Sequence, residues 1–291
     1  MTENSSSTGL VFEVSYFLGT ERRAPGPDTI HQVLGGLENL RLVPGSGKER
    51  VYEYLNRDSG VSCRFVSYPV HGGHEVGLSF EMDLPRPTFF ALETLPLIVS
   101  VARELRLRVK VMEPEFPGEP FNPTVEDLIV HWREANQNEV DYLIEQGSEP
   151  PYAPADELEA MWEYMLLRAD LARRYGRKAV AVPPVRLFCM RSDGEVYRYV
   201  EWEKFAPTVL PDADWVKLVS PPAPLKDGAL YRLPELAETL KGCVKDSTQP
   251  INHRICERGP SPEHLAQVAR LKAETMKSFQ PLEYWEVVDD G

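Results

Sequence analysis

A chain of 291 residues that is 42% hydrophobic and 10% aromatic can bury a sizeable core, in one large domain or two smaller ones. Its formal net charge of −13 would repel a polyanion, which argues against a nucleic-acid partner. The longest apolar run, Leu95 to Ala102, is broken by Pro96 and Ser100 and is far short of the roughly 20 residues of a membrane span, so no membrane partner is expected either.

In chain order, Leu10, Phe12, Val14, Tyr16 and Leu18 alternate with more polar neighbours and read as a strand. Asp28 is a plausible N-cap for a helix whose apolar positions are Ile30, Val33, Leu34, Leu37 and Leu40. Residues 49 to 56 and 61 to 68 flank Arg57-Asp58-Ser59-Gly60 as a hairpin, and Val76, Leu78, Phe80 and Met82 mark another strand. A helix is predicted from about Thr88 to Leu105, kinked or started at Pro96. Leu107, Val109 and Val111 then alternate with Arg106, Arg108 and Lys110 as a strand with one basic face.

Two proline-rich connectors, residues 113 to 123 and 147 to 155, each precede a helix. The first helix opens at Thr124 with a capping box in which Asp replaces Glu, and carries Leu128, Ile129, Trp132, Ala135, Val140, Leu143 and Ile144 as apolar positions. The second carries Leu158, Met161, Trp162, Met165, Leu166 and Ala169, and ends in RRYG with Gly176 as its C′ residue. Beyond them, Val185 to Met190 and Glu195 to Trp202 form a hairpin about Ser192-Asp193-Gly194. A strand at Trp215 to Val219, a short helix at Leu233 to Leu240, a last helix from Ser261-Pro262 to about Phe279 and a strand at Leu282 to Val288 complete the reading. The expected class is α+β: mainly antiparallel sheet with helices packed on one face, plus a central acidic helical pair. The expected divisions are an α+β domain over 8–112, an acidic helical segment over 113–182 and a second α+β domain over 183–291.

The charge is unevenly distributed. Between Glu113 and Glu163 there are fourteen acidic residues and one basic residue, Arg133, so this segment carries the whole net charge of −13. Aromatic residues interleave with the acids at Trp132, Tyr142, Tyr152, Trp162 and Tyr164. Clustered carboxylates steer a basic partner, and aromatic side chains commonly dominate interface energy. The expectation is a protein-binding module, in its narrower form an immunity or inhibitor protein that neutralises a basic toxin such as a nuclease. The expected contact residues are Trp132, Glu134, Asp141, Glu145, Asp156, Glu159, Trp162 and Glu163.

Catalytic signals are weaker. HGGHE, residues 71 to 75, holds His71, His74 and Glu75, but paired glycines oppose the helix that a metalloprotease motif requires and fit a turn instead. PGSGKE, residues 44 to 49, lacks both the upstream glycine and the following Ser or Thr of a phosphate-binding loop. Cys243, His253, Cys256 and His264 include enough ligands for zinc, without the close cysteine pair of a structural site. No nucleophile elbow of the form G-x-S-x-G occurs. No catalytic residue, metal or cofactor is therefore assigned, and a metal-dependent hydrolase using His71, His74 and Glu75, or the Cys/His group, is the alternative. The four cysteines, Cys63, Cys189, Cys243 and Cys256, are too sparse for a disulfide framework and are expected to be reduced thiols. The polar start MTENSSSTG lacks the features of a signal peptide, so a cytoplasmic location is expected.

Overall fold

A strand facing a core buries every second side chain, and in β1 (Val11–Leu18) these are Phe12, Val14 and Tyr16. The computed structural model to which this strand belongs describes residues 10–19, 24–44, 47–70, 74–112, 118–176, 179–192 and 194–290. The chain divides into two units, one ending at Pro150 and the other spanning Pro151–Asp290. That boundary falls within the stretch read as one acidic helical segment.

The first unit continues through α1 (Pro27–Gly35), β2 (Leu40–Val43), β3 (Arg50–Leu55), β4 (Ser62–Ser67), β5 (Glu75–Asp83), α2 (Thr88–Leu105), β6 (Leu107–Val111) and α3 (Val125–Glu145). Its six strands form one antiparallel sheet in the order β2-β3-β4-β5-β1-β6. The register aligns Tyr52 with Phe65, Phe65 with Phe80, Phe80 with Val14 and Val14 with Val111, a continuous buried row across one face. The α2 helix covers this face. Tyr16 Oη donates to the Ile98 carbonyl at 3.4 Å, and both Tyr54 Oη and Asn56 Nδ2 donate to Glu93 Oε1 at 2.8 Å.

Two local readings differ, and a third is narrowed to one of its alternatives. Gly26 occupies the N-cap of α1 with Pro27 at N1, so Asp28 lies in the first turn, where a carboxylate favours the helix dipole. Leu40 belongs to β2 and not to α1: the helix stops at Gly35-Gly36, and Asn39, with φ of 61°, turns the chain into the sheet. Pro96 lies inside α2, which starts upstream of it at Thr88.

The second unit contains α4 (Ala155–Tyr175), β7 (Val185–Met190), β8 (Val196–Glu203), β9 (Thr208–Pro211), β10 (Trp215–Val219), β11 (Ala229–Arg232), α5 (Leu233–Thr239), β12 (Val244–Ser247), β13 (His253–Cys256), α6 (Pro262–Val268), β14 (Glu274–Thr275) and β15 (Phe279–Leu282). Six strands form a sheet in the order β14-β11-β10-β8-β7-β15, and β12, β13 and β9 form a smaller antiparallel one. Among these ladders β8 with β10 is parallel and the rest are antiparallel, so both units are α+β and mainly antiparallel.

The larger sheet cannot be flat. Its outermost strands, β14 and β15, are joined by the short link from Thr275 to Phe279, which spans at most about 14 Å. Five inter-strand gaps in a flat sheet would separate those edges by about 24 Å. The sheet therefore curls until its edges approach. Phe188, Tyr199, Trp215, Leu230 and Phe279, one from each of five strands, pack as a single cluster, and Trp215 meets Phe279 across the curl at 5.6 Å between ring centroids. The same geometry shortens the last predicted helix. Ser261 and Pro262 start it as expected, but α6 ends at Val268, because Glu274–Thr275 pairs with β11 at one edge and Phe279–Leu282 with β7 at the other. The expected closing strand is correspondingly displaced: residues 284 to 286 form a 3-10 turn, and Val288 makes an isolated bridge with Tyr152. The α4 helix ends at Gly176 in a right-handed conformation rather than the left-handed one a C′ glycine usually adopts.

In β5, the pairing with β1 slips between Ser15 and Phe17, and Gly77 takes φ of 68° in this irregular stretch. A Cβ at Gly77 would lie 2.1 Å from the Tyr68 carbonyl oxygen, whereas one at Gly47, with φ of 92°, would meet nothing. Gly77→Ala is expected to destabilise the first unit by more than the about 1–3 kcal/mol of backbone strain alone, and Gly47→Ala by no more than that. Hydrogen exchange of first-unit amides measures both, and equal effects would contradict the close packing.

Candidate functional site

The acidic segment is built on α3 and α4, which belong to different units. Ahead of α3, Phe121 exchanges two backbone hydrogen bonds with Val109 of β6, each 2.8 Å, which ties the proline-rich connector to the sheet. Thr124 caps the helix: its Oγ1 accepts from the Asp127 N–H at 3.1 Å and donates to Asp127 Oδ2 at 2.8 Å. One turn of helix later the buried stripe begins, at Leu128, Trp132, Asn136 and Glu139.

Two members of that stripe are polar, and Asn136 has a clear task. Its Oδ1 accepts from the Arg86 backbone N–H at 2.8 Å and its Nδ2 donates to the Arg86 carbonyl at 2.9 Å, in the turn between β5 and α2. This two-way bond fixes the rotation of α3 on the sheet and satisfies backbone groups that no ladder reaches. Glu139 is 3% exposed; burial pushes its carboxyl above the ordinary range, opposed by a hydrogen bond from the Leu10 backbone.

With that stripe inward, helical spacing puts Glu126, Asp127, Val130, Glu134, Asp141, Ile144 and Glu145 on the opposite side, where the carboxylates are exposed. Val130 is 63% exposed and Ile144 51%, and Tyr142, at 52%, stands on the margin. Asp141 accepts from Gln137 Nε2 at 2.8 Å. The outer face of α3 therefore carries these carboxylates together with Gln137 and two accessible apolar side chains, with the exposed Arg133 near its edge.

The eight expected contact residues separate accordingly. Glu134, Asp141 and Glu145 lie together on this face. Trp132 does not: it is 1% exposed, a core residue of the first unit, because its helical phase matches Leu128 and Asn136. Asp156, Glu159 and Glu163 are exposed on α4 in the second unit, and Trp162 is half-buried there. Of the remaining expected aromatic anchors, Tyr164 is buried, with its Oη donating to the Pro183 carbonyl at 2.9 Å, and Tyr152 is exposed. Ile144, read as one of the apolar positions of the helix, is a surface residue, as is Val130.

Not every acid of the segment is available. Glu157 of α4 lies 3.3 Å from Arg198 Nε, and Arg198 also reaches Asp214 at 3.3 Å and Asp212 at 3.8 Å. Burial works against the guanidinium's charge, but the three carboxylates outweigh it and hold Arg198 above its ordinary value. Glu157 is thus part of the attachment of α4 to β8.

Among the described residues the catalytic candidates do not converge. His71 lies outside the described residues, as do Gly72 and Gly73, while Glu75 accepts a short hydrogen bond from Tyr68 Oη. His253 has both ring nitrogens engaged, with Tyr175 Oη at 2.9 Å and the Ile251 carbonyl at 2.7 Å. His264 closes a capping box with Ser261. Only Cys243 and Cys256 of that group meet, and among the described residues no three His, Cys, Asp or Glu side chains are placed to hold a metal ion. A cleft of about 600 Å³ opens beside the curled sheet between Arg191, Arg232, Lys272 and Trp215. There Arg232 lies 4.2 Å over the Trp215 ring, and Lys272 is paired with Glu274 at 2.8 Å. The chain matches no protein-family model, no curated protein and no solved structure. No helix of the described residues is long and apolar enough to cross a membrane.

The raised Glu139 carboxyl gives a pH test. The folded state takes up this proton at a higher pH than the unfolded state does, so ionisation costs stability above the folded value, and the cost disappears as pH falls through it toward the ordinary 4.5. Glu139→Gln should stabilise the first unit at about pH 8 and lose that advantage near 4.5, as read by urea denaturation across that range. A gap independent of pH would remove the buried charge as its cause.

Proposed function

We propose that this chain is a protein-binding module that docks a basic protein on the outer face of α3. One observation carries the reading: five carboxylates, Glu126, Asp127, Glu134, Asp141 and Glu145, share an exposed helical face with Val130 and Ile144. Val130 and Ile144 lie about 21 Å apart along the helix, so each would serve as a separate apolar contact among the carboxylates. Clustered acid accelerates encounter with a basic surface, and apolar contacts add affinity once water is excluded. Stoichiometric inhibition of a basic toxin is the narrower form of this proposal, and a cytoplasmic location belongs to it as well.

Capture of partners from cells of the native organism, with identification by mass spectrometry, tests the reading. The expected ligand is basic, is released at high salt, and is lost by about tenfold or more in affinity on joint Glu134→Lys and Asp141→Lys substitution. Val130→Ala should weaken binding with little change in its salt dependence. Glu159→Lys with Glu163→Lys on α4 changes the net charge equally and is the control. If the α3 and α4 reversals act alike, the binding is general charge attraction and the docking face is refuted.

A further inference from the structure

Gly242, with φ of 92°, turns the chain out of the short α5 region, so that Cys243 enters immediately ahead of Val244, the register partner of Cys256 in β13. The two sulfurs are 3.0 Å apart, and reaching the roughly 2.05 Å of a disulfide requires a movement of about 1 Å. Both thiols point at one acceptor, the Arg258 carbonyl, at 2.7 Å from Cys256 and 3.3 Å from Cys243. Cys256 is fully buried and Cys243 half-buried.

We propose that Cys243 and Cys256 are an oxidation site, closed to an intramolecular disulfide by a small-molecule disulfide such as oxidised glutathione. The pair lies in the small sheet of the second unit and is independent of the α3 docking reading. Cys243, the accessible partner, loses its proton to solvent and attacks one sulfur of the reagent, forming a mixed disulfide and releasing the first small thiolate, which takes up a proton. Cys256 then gives up its proton and attacks Sγ of Cys243, breaking the mixed disulfide and releasing the second small thiol. Two protein thiols are oxidised and one reagent disulfide is reduced. Burial and the adjoining Cys243 sulfur hold the Cys256 thiol well above its ordinary range, which slows the resolving step, and the contact already made between the two sulfurs is what favours it. Oxidation also removes both S–H donors from the Arg258 carbonyl, so the loop leading to the Ser261 cap of α6 loses its latch as the hairpin gains a crosslink.

The full chain, equilibrated with oxidised glutathione, is alkylated under denaturing conditions and mapped by mass spectrometry. Free thiols should fall from four to two, with Cys243 and Cys256 in one linked peptide. Cys256→Ser should accumulate a mixed disulfide at Cys243, and Cys243→Ser should leave Cys256 unmodified. Hydrogen exchange of the oxidised protein should slow across β12 and β13 and quicken at residues 257 to 259. Retention of four thiols, linkage through Cys63 or Cys189, or a bond between two chains overturns the proposal, and the wild-type map decides this even where a variant fails to fold.

Discussion

The rotation of α3 about its own axis decides which of its residues meet solvent, and one buried amide sets that rotation. Asn136 bonds both backbone groups of Arg86, so it fits only with its own helical phase turned toward the β5–α2 turn. An apolar residue there would remove both of these hydrogen bonds, each worth about 0.5–1.5 kcal/mol. With Asn136 inward, Trp132 and Leu128 follow into the core, and the acids two and five residues away, Glu134 and Asp141, are carried outward. The character of the exposed face is thus a consequence of a contact on the opposite side of the helix.

Carboxylates that look equivalent in the sequence have different physical roles. Glu139 is buried in the α3 stripe, Glu157 belongs to the cluster around Arg198, and Glu134 and Asp141 face water. On the other face of the first sheet, burial and then the neighbouring Glu81 and Glu75 push the Glu13 carboxyl upward, while Arg64 engages Glu81. A summed charge of −13 therefore overstates what a partner would meet on any one face.

Period-two alternation was enough to find β1, β5 and β6, and the Thr124 and Ser261 caps were legible from side-chain chemistry alone. The short strands β2, β9, β11, β12 and β13 were not, because four residues give too few alternations to stand out from their surroundings. The failure at α6 has another origin. Residues 269 to 279 contain good helix formers, and only the demand of two sheet edges for partners, a tertiary effect, draws them into β14 and β15. For the site, the run Leu128-Ile129-Val130-His131-Trp132 concealed the helix phase, since it offers apolar residues to every direction. Asn136 was the available signal: a polar residue in phase with Leu128 and Trp132 needs a partner, and an inward stripe drawn through it would have turned Val130 outward.

The link between β14 and β15 has a further consequence for the second unit. Those few residues join what are otherwise the two raw borders of a six-stranded sheet. A cut at residues 276 to 278 would leave the approach of those two edges to side-chain packing such as that of Trp215 on Phe279, with no covalent tether between them. The intact turn thus works as a clasp that holds the two ends of the ladder at one fixed reach.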